Sequence, residues 1–192
     1  MVGYLLGSFN FAVHIAKFHR VDIFNEGSCN PGATNVKRVI GACAGNAVFV
    51  LDTLKGIIAS SWFLFVLEPE SYNFMLLGFF GLVGAVIGHS YSCFHRFRGG
   101  KGVATTMGGL FVLMPIALII GILAWLISYY ATRVVAIASL VFALSLPLSA
   151  YFFESSSNLS FVLGFLIALL IIYRHLPNIK RLLHGGENSF KK

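Results

Sequence analysis

Long apolar runs alternate with short polar segments along this chain of 192 residues. The apolar runs cover residues 1–16, 44–67, 73–93, 103–130, 134–153 and 159–173. A transmembrane helix needs about 20 apolar residues, so most of these runs are long enough to cross a bilayer. The first run lacks a basic n-region and a cleavage site, and we interpret it as a retained helix. The pattern predicts an all-α polytopic membrane protein, with a single domain over residues 1–192.

Lysine and arginine are concentrated in three of the polar segments. Residues 17–43, 94–101 and 174–192 hold twelve of the fourteen, whereas 68–72 and 154–158 hold none and carry three glutamates. By the positive-inside rule, the three basic segments are predicted to be cytoplasmic. The N-terminus is then expected outside and the C-terminus in the cytoplasm.

This sidedness requires an odd number of crossings, although the chain has six apolar runs. The run 103–130 contains Gly108-Gly109 and Pro115, which favour a break or a re-entrant half-helix. We therefore expect about five full transmembrane helices plus one or two short half-helices near the cytoplasmic face, up to about seven in total.

Composition indicates the environment and the partners. Hydrophobic residues make up 57% of the chain and charged residues 11%, and a soluble domain carries about twice that charged share. The net charge of +7 lies in a few segments, which favours an anionic substrate or lipid head groups, and no nucleic-acid partner is expected. The three cysteines have no paired spacing and are interpreted as reduced thiols.

The segment Gly88 to Gly109 has the features of an anion-binding loop. Gly99, Gly100 and Gly102 flank Lys101, and Thr105 follows in the first turn of the next predicted helix. Glycines let a backbone approach a ligand closely, and N–H groups ahead of a helix start bind anions. A nucleotide P-loop has Ser or Thr after the lysine, where this chain has glycine. The alternative is a turn that carries a positive-inside lysine.

Two further polar segments lie on the same predicted side of the membrane. Residues 26–38 are dense in hydroxyls, carboxamides and an arginine that suit phosphate or polyhydroxyl oxygens, and an interfacial loop turned by Asn-Pro-Gly is an equal alternative. Residues 175–187 combine histidine, asparagine and basic groups, and a lipid-facing basic tail is the competing interpretation. The candidate binding residues in these segments are Ser28, Asn30, Thr34, Asn35, Arg38, His175, Asn178, Lys180, Arg181 and Glu187.

Several polar residues fall inside or at the ends of apolar runs. His89 is a candidate general base, although an interfacial histidine is the commoner case. A metal site of His89 with His95 is not expected, because that spacing does not place both on one helix face. Asp52 and Lys55 are three residues apart and are expected to pair with each other. Ser139 is a weak candidate, since serine is common at helix contacts.

The ordered motifs resemble those of the bacterial acyl-phosphate:glycerol-3-phosphate acyltransferases, over essentially the whole chain. The matching stretches are Gly7-Ser8, Asp22-Ile23, Gly27-Ser28-x-Asn30-Pro31-Gly32-Ala33-Thr34-Asn35-Val36-x-Arg38, Leu51-Asp52-x-x-Lys55-Gly56, Gly88-His89, Phe97-x-Gly99-Gly100-Lys101-Gly102-Val103-Ala104-Thr105, Ser139 and His175-x-x-Asn178-Ile179-x-Arg181-Leu182-x-x-Gly185-x-Glu187. Phe9-Asn10 stands where the family usually has an apolar residue and proline, and Cys29 stands where it usually has glycine.

The resemblance implies an integral membrane enzyme of phospholipid biosynthesis, with its active site on the cytoplasmic side of the cell (inner) membrane. It implies acyl transfer from acyl phosphate to the 1-hydroxyl of glycerol 3-phosphate, giving lysophosphatidic acid and phosphate without a cofactor or metal. The chain is compatible with a functional monomer.

The expected roles follow from the same resemblance and from the chemistry of the side chains. Lys101 and the loop N–H groups would bind the leaving phosphate, and Arg38 with Arg181 or Lys180 the acceptor phosphate. Ser28, Asn30, Thr34, Asn35, Ser139 and Asn178 would supply orienting hydrogen bonds. The general base stays open between His89, His175 and a substrate phosphate.

Two rival functions compete with acyl transfer. Re-entrant half-helices and positive loops also fit a transporter or channel for an anionic solute, which would place polar residues on both membrane faces. A noncatalytic membrane subunit that binds lipid phosphate is the other alternative.

Overall fold

A computed structural model describes residues 1–65, 74–154 and 157–187, and within these ranges it contains helices and connecting turns but no strand. The helices are α1 (Val2–Ser8), α2 (Phe11–Phe18), α3 (Ala33–Val39), α4 (Ala42–Ser61), α5 (Phe74–Ser90), α6 (Val103–Leu113), α7 (Pro115–Thr132), α8 (Val135–Phe153), α9 (Ser157–Arg174) and α10 (Leu176–Leu183). Single 3-10 turns, Trp62–Phe65 and Cys93–His95, extend α4 and follow α5. The predicted turn at 68–72 and part of that at 154–158 lie outside the described residues.

The described helices confirm the predicted polytopic architecture. Four of them are long and apolar enough to cross a membrane, beginning at Ala42, Phe74, Pro115 and Val135. The pair Asn158–Arg174 and Leu176–Leu183 is bent by 56° and adds a fifth span if it is counted as one. The sidedness of these spans stays a prediction.

The first apolar run is not the single helix that the sequence suggested. It is broken at Phe9 and Asn10 into α1 and α2. The Asn10 side-chain oxygen accepts a hydrogen bond from the Val13 N–H at 3.2 Å, which is the geometry of an N-cap. Since asparagine favours caps over helix interiors, a new helix starts here instead of the first one continuing.

The predicted break at Pro115 is confirmed. Helix α6 has 11 residues, about 16 Å at helical rise and too short to cross a bilayer. Met114 leaves the helical conformation, and Pro115 opens α7 at a position where its missing N–H costs nothing.

The chain divides into two units, Met1–Leu113 and Met114–Lys192. In the first unit, α1 packs on α5 and α4 packs on α5 and α6. Their backbones come so close that a side chain at Gly7 would overlap the Ala85 carbonyl and one at Gly56 would overlap the Thr105 carbonyl.

In the second unit, α8 lies between α7 and α9, and α10 follows α9 after the bend. The Glu154 carboxylate accepts a hydrogen bond from the Ala117 N–H at 3.0 Å, at the N-terminus of α7. A carboxylate is favoured there because it satisfies an unpaired N–H and faces the positive end of the helix dipole.

Candidate active site

His89 lies in the last turn of α5, and the glycine loop folds back over it. The Gly100 N–H donates a hydrogen bond to the His89 carbonyl oxygen at 3.0 Å. A side chain at Gly99 would overlap that carbonyl, and one at Gly100 would overlap Nε2 of the His89 ring. Gly102 has φ +81°, which few other residues adopt. These glycines are therefore required by the contact with His89 and by the turn into α6.

Residues 26–38 and the glycine loop meet at Gly100. A Cβ at Gly100 would lie 3.0 Å from the Pro31 carbonyl oxygen, so the two backbones are in contact. The Arg98 guanidinium lies over the ring of Phe24, which precedes residues 26–38, at 4.3 Å from its centroid. Segments 26–38 and 88–105, which the sequence predicted to act together, are thus neighbours in the first unit.

Asn35 organises the first segment from within. It is buried, and its Oδ1 accepts from the Ser28 N–H at 2.8 Å and from Arg38 at 3.4 Å. Its Nδ2 donates to the Glu26 carbonyl oxygen at 2.9 Å. These contacts use the hydrogen-bonding capacity of the amide for the loop itself, while Ser28, Asn30, Thr34 and Arg38 stay partly exposed. A substrate contact of Asn35 stays a prediction, and its observed contacts hold Ser28 and Arg38 in place.

Lys101 is half-buried between the loop glycines and the start of α6. Thr105 is fully buried, and the backbone at this residue packs on Gly56 of α4. A side chain at Gly108 would overlap the Thr53 carbonyl. Close packing of α4 on α6 therefore explains Gly108.

Three buried ionisable side chains form one cluster behind the loop. The predicted pair is confirmed, with Lys55 Nζ at 2.8 Å from Asp52 Oδ1. Lys55 Nζ also lies 2.9 Å from His89 Nδ1, and it donates to the carbonyl oxygens of Gly7 at 3.1 Å and Phe9 at 2.9 Å. Sequence reasoning missed the two carbonyls, because they lie at the end of α1 that only the break at Asn10 creates, and it missed His89, which is 34 positions away on another helix.

The second unit holds a polar cluster of its own. Glu187 accepts from Asn178 Nδ2 at 2.7 Å and from Arg181 Nε at 2.8 Å. His175 is buried, and its Nδ1 lies 2.8 Å from the Ile171 carbonyl oxygen. Because that oxygen only accepts, the neutral ring has its hydrogen on Nδ1 and its lone pair on Nε2. Ser139 is buried on α8, and Lys180 is exposed on α10.

Comparison with known proteins decides the family. A family profile described as glycerol-3-phosphate acyltransferase matches residues 1–185. The chain belongs to the glycerol-3-phosphate acyltransferase family. A curated family member from Fusobacterium nucleatum is 41% identical over 189 residues, which cover 98% of this chain and 94% of the relative.

Solved structures agree with this assignment to the family. A crystal structure of PlsY (YgiH), an integral membrane glycerol 3-phosphate acyltransferase in its glycerol 3-phosphate form, matches with TM-score 0.88 and 38% identity. It covers 98% of this chain and 92% of that one. The lysophosphatidic acid form of PlsY matches with TM-score 0.84 and 39% identity, covering 99% of this chain and 92% of that one. The chain is thus a multi-pass membrane protein of this acyltransferase family.

Proposed function

We propose that the protein transfers a fatty acyl group from acyl phosphate to the 1-hydroxyl of sn-glycerol 3-phosphate, as the first acylation of phospholipid biosynthesis. Family membership supports the acceptor, as do the related PlsY structures in their glycerol 3-phosphate and lysophosphatidic acid forms. The choice of donor rests on the anion-binding character of residues 99–102. The observation that carries the proposal is the contact of Gly100 with both Pro31 and His89, which brings residues 26–38 and the end of α5 against one loop.

The chemistry needs little beyond alignment and electrostatics. An acyl phosphate is a mixed anhydride and is already activated. The 1-hydroxyl oxygen forms a bond to the acyl carbon, the bond from that carbon to the phosphate oxygen breaks, and the hydroxyl proton passes to a base or to a phosphate oxygen. Such a barrier is lowered when the two reactants are held in line and when fixed hydrogen-bond donors face the charges that develop in the transition state.

Lys101 and the loop N–H groups are proposed to bind the leaving phosphate. The loop precedes α6, so its N–H groups and the positive end of the helix favour an anion at the same place as the lysine. Arg38 is proposed for the acceptor phosphate, because a guanidinium can grip phosphate with two parallel hydrogen bonds. Its contact with Asn35 fixes the side chain before substrate arrives.

Of the two candidate histidines, His89 and His175, we propose His175 as the acceptor of the hydroxyl proton. Its Nδ1–H is used by the Ile171 carbonyl, and the lone pair on Nε2 is what a general base requires. Asn178 and Arg181 are proposed as polar contacts to substrate, with Glu187 holding both side chains.

The site is proposed to open to the cytoplasm. A single copy of the chain, taking acyl phosphate from the bilayer, is proposed to be active.

The donor is tested on the purified protein with glycerol 3-phosphate and, in parallel, acyl phosphate, acyl-CoA or acyl carrier protein thioester. Lysophosphatidic acid is expected from acyl phosphate alone. Product from a thioester but not from acyl phosphate would overturn the donor and leave the acceptor intact.

Lys101→Ala tests the loop directly. Removing the cation and N–H donors at the leaving phosphate is expected to lower kcat about 100- to 1,000-fold, the usual range for a transition-state donor. Lys17→Ala is the matched control, since it removes an exposed lysine of the same unit outside the proposed site. A Lys101→Ala rate close to that of Lys17→Ala would refute the role of the loop.

A further inference from the structure

The Lys55 ammonium is enclosed by four acceptor atoms. Three oxygens and one nitrogen surround Nζ within 3.1 Å: Asp52 Oδ1, the Phe9 and Gly7 carbonyls, and His89 Nδ1. Lys55 is 4% exposed, Asp52 1% and His89 4%. A buried ammonium is tolerated only with such partners, so the arrangement needs all of them.

The direction of the hydrogen bond between Lys55 and His89 follows from the other partners. The carboxylate and both carbonyls can only accept, and a lysine ammonium has three hydrogens and no lone pair. An ammonium donates its three hydrogens to the two carbonyl oxygens and to Nδ1, and its charge pairs with the Asp52 carboxylate at 2.8 Å. A neutral amine would accept from Nδ1 and leave the buried Asp52 carboxylate without a countercharge. Asp52 Oδ1 lies 3.7 Å from Nδ1, which is too far to take a hydrogen from it.

We infer that Lys55 is a positioning residue that holds the neutral His89 ring with its proton on Nε2. The Nε2 edge is the one that Gly100 covers, in the loop that carries Lys101. His89 therefore presents an N–H donor to this loop and has no lone pair there to act as a base. The inference rests on the proposed function, since it assigns His89 as donor in the same site.

The break between α1 and α2 is part of the arrangement that positions Lys55 and His89. The two carbonyls that Lys55 reaches, those of Gly7 and Phe9, are at the open end of α1, where helix carbonyls lack internal partners. An uninterrupted helix through Asn10 would have used these carbonyls in its own hydrogen bonds. The helix break, the buried cation and the orientation of His89 are thus one connected arrangement.

The test measures the His89 tautomer without requiring turnover. The full chain in nanodiscs is labelled with nitrogen-15 in its histidine rings, and nitrogen NMR shows which ring nitrogen carries the proton. His89→Gln assigns the His89 signals among those of the six histidines. The wild type is expected to carry the His89 proton on Nε2. A proton on Nδ1, donating to a neutral amine, would overturn the inference.

A double variant tests the donation by Lys55, with the wild type as comparator, because Asp52→Asn alone would leave the buried ammonium without a countercharge. Asp52→Asn with Lys55→Met removes both charges at similar volume, so no buried charge is left uncompensated. In this double variant the Nε2 tautomer is expected to lose its dominance, and kcat is expected to fall about tenfold below the wild type with little change in KM, as when a transition-state donor is misaligned.

An unchanged tautomer and rate in the double variant would refute the role of Lys55. If the double variant does not fold, the tautomer measured in the wild type decides the inference. If the wild type makes no lysophosphatidic acid, the proposed function fails, and the tautomer of the wild type still decides the assignment of Lys55.

Discussion

At the scale of single residues, Cys29 occupies a backbone position that suits glycine better. Its φ is +57°, the left-handed region in which a side chain costs about 1 kcal/mol or more. Its thiol is exposed and free. The glycine that the family usually has at this position would adopt the same backbone conformation without this cost.

Cys29→Gly is expected to raise the free energy of unfolding by about 0.5–1 kcal/mol, or the melting temperature by about 1–4 °C, because the strain relieved exceeds the added freedom of the unfolded chain. Cys43→Gly is the control, since this exposed cysteine lies in α4 and glycine there is expected to destabilise the helix. Thermal unfolding in detergent measures both. Shifts in the same direction would contradict the explanation.

Some residue contacts could be predicted from the sequence and others could not. Asp52 and Lys55 are close along one helix, so their spacing and the cost of burying charge were enough to predict the pair. The contact of Lys55 with His89 spans 34 positions and depends on how α4 packs on α5. Residue types alone carried no signal for it.

At the scale of elements, the two helix breaks differ in how visible they are in the sequence. Pro115 cannot continue a helix, so the break before it was predictable. Asn10 breaks the first run by forming a side-chain cap, which competes with helix continuation by a small margin. An asparagine within a long apolar run is compatible with either outcome, and so residues 1–16 were interpreted as one helix.

Asn10→Ala tests the cap. The loss of the hydrogen bond to the Val13 N–H is expected to lower the stability of the protein by about 1 kcal/mol. Asn10→Ser is the control, because a serine hydroxyl can cap the same N–H and is expected to retain most of the stability. Thermal unfolding in detergent ranks the three proteins. Equal losses in both variants would show that the cap is not what the side chain contributes.

At the scale of the whole molecule, the described helices expose long apolar side chains and join through small residues. Ile127 is 71% exposed and Phe152 69%, whereas Gly7 and Gly56 lie where backbones touch. This is the reverse of a soluble protein and suits helices surrounded by lipid. Composition and the length of the apolar runs predicted a membrane protein, because a lipid environment requires apolar surfaces and helices long enough to cross it.

The sidedness of the membrane protein is the prediction that its own cysteines can test. Cys29, Cys43 and Cys93 are exposed thiols in or beside segments predicted to be cytoplasmic. A membrane-impermeant maleimide is expected to label the protein in inverted vesicles and to leave it unlabelled in intact cells.

Asn158→Cys supplies the matched probe for the opposite face, in a chain that also carries Cys29→Gly, Cys43→Ser and Cys93→Ser. Asn158 is exposed near the start of α9, in the turn predicted to be outside. Its thiol is expected to react in intact cells. The reverse pattern of labelling would place the basic loops, and Lys101 with them, outside the cytoplasm. The proposed site would then face away from a cytoplasmic pool of glycerol 3-phosphate, so the same experiment also tests the setting of the reaction.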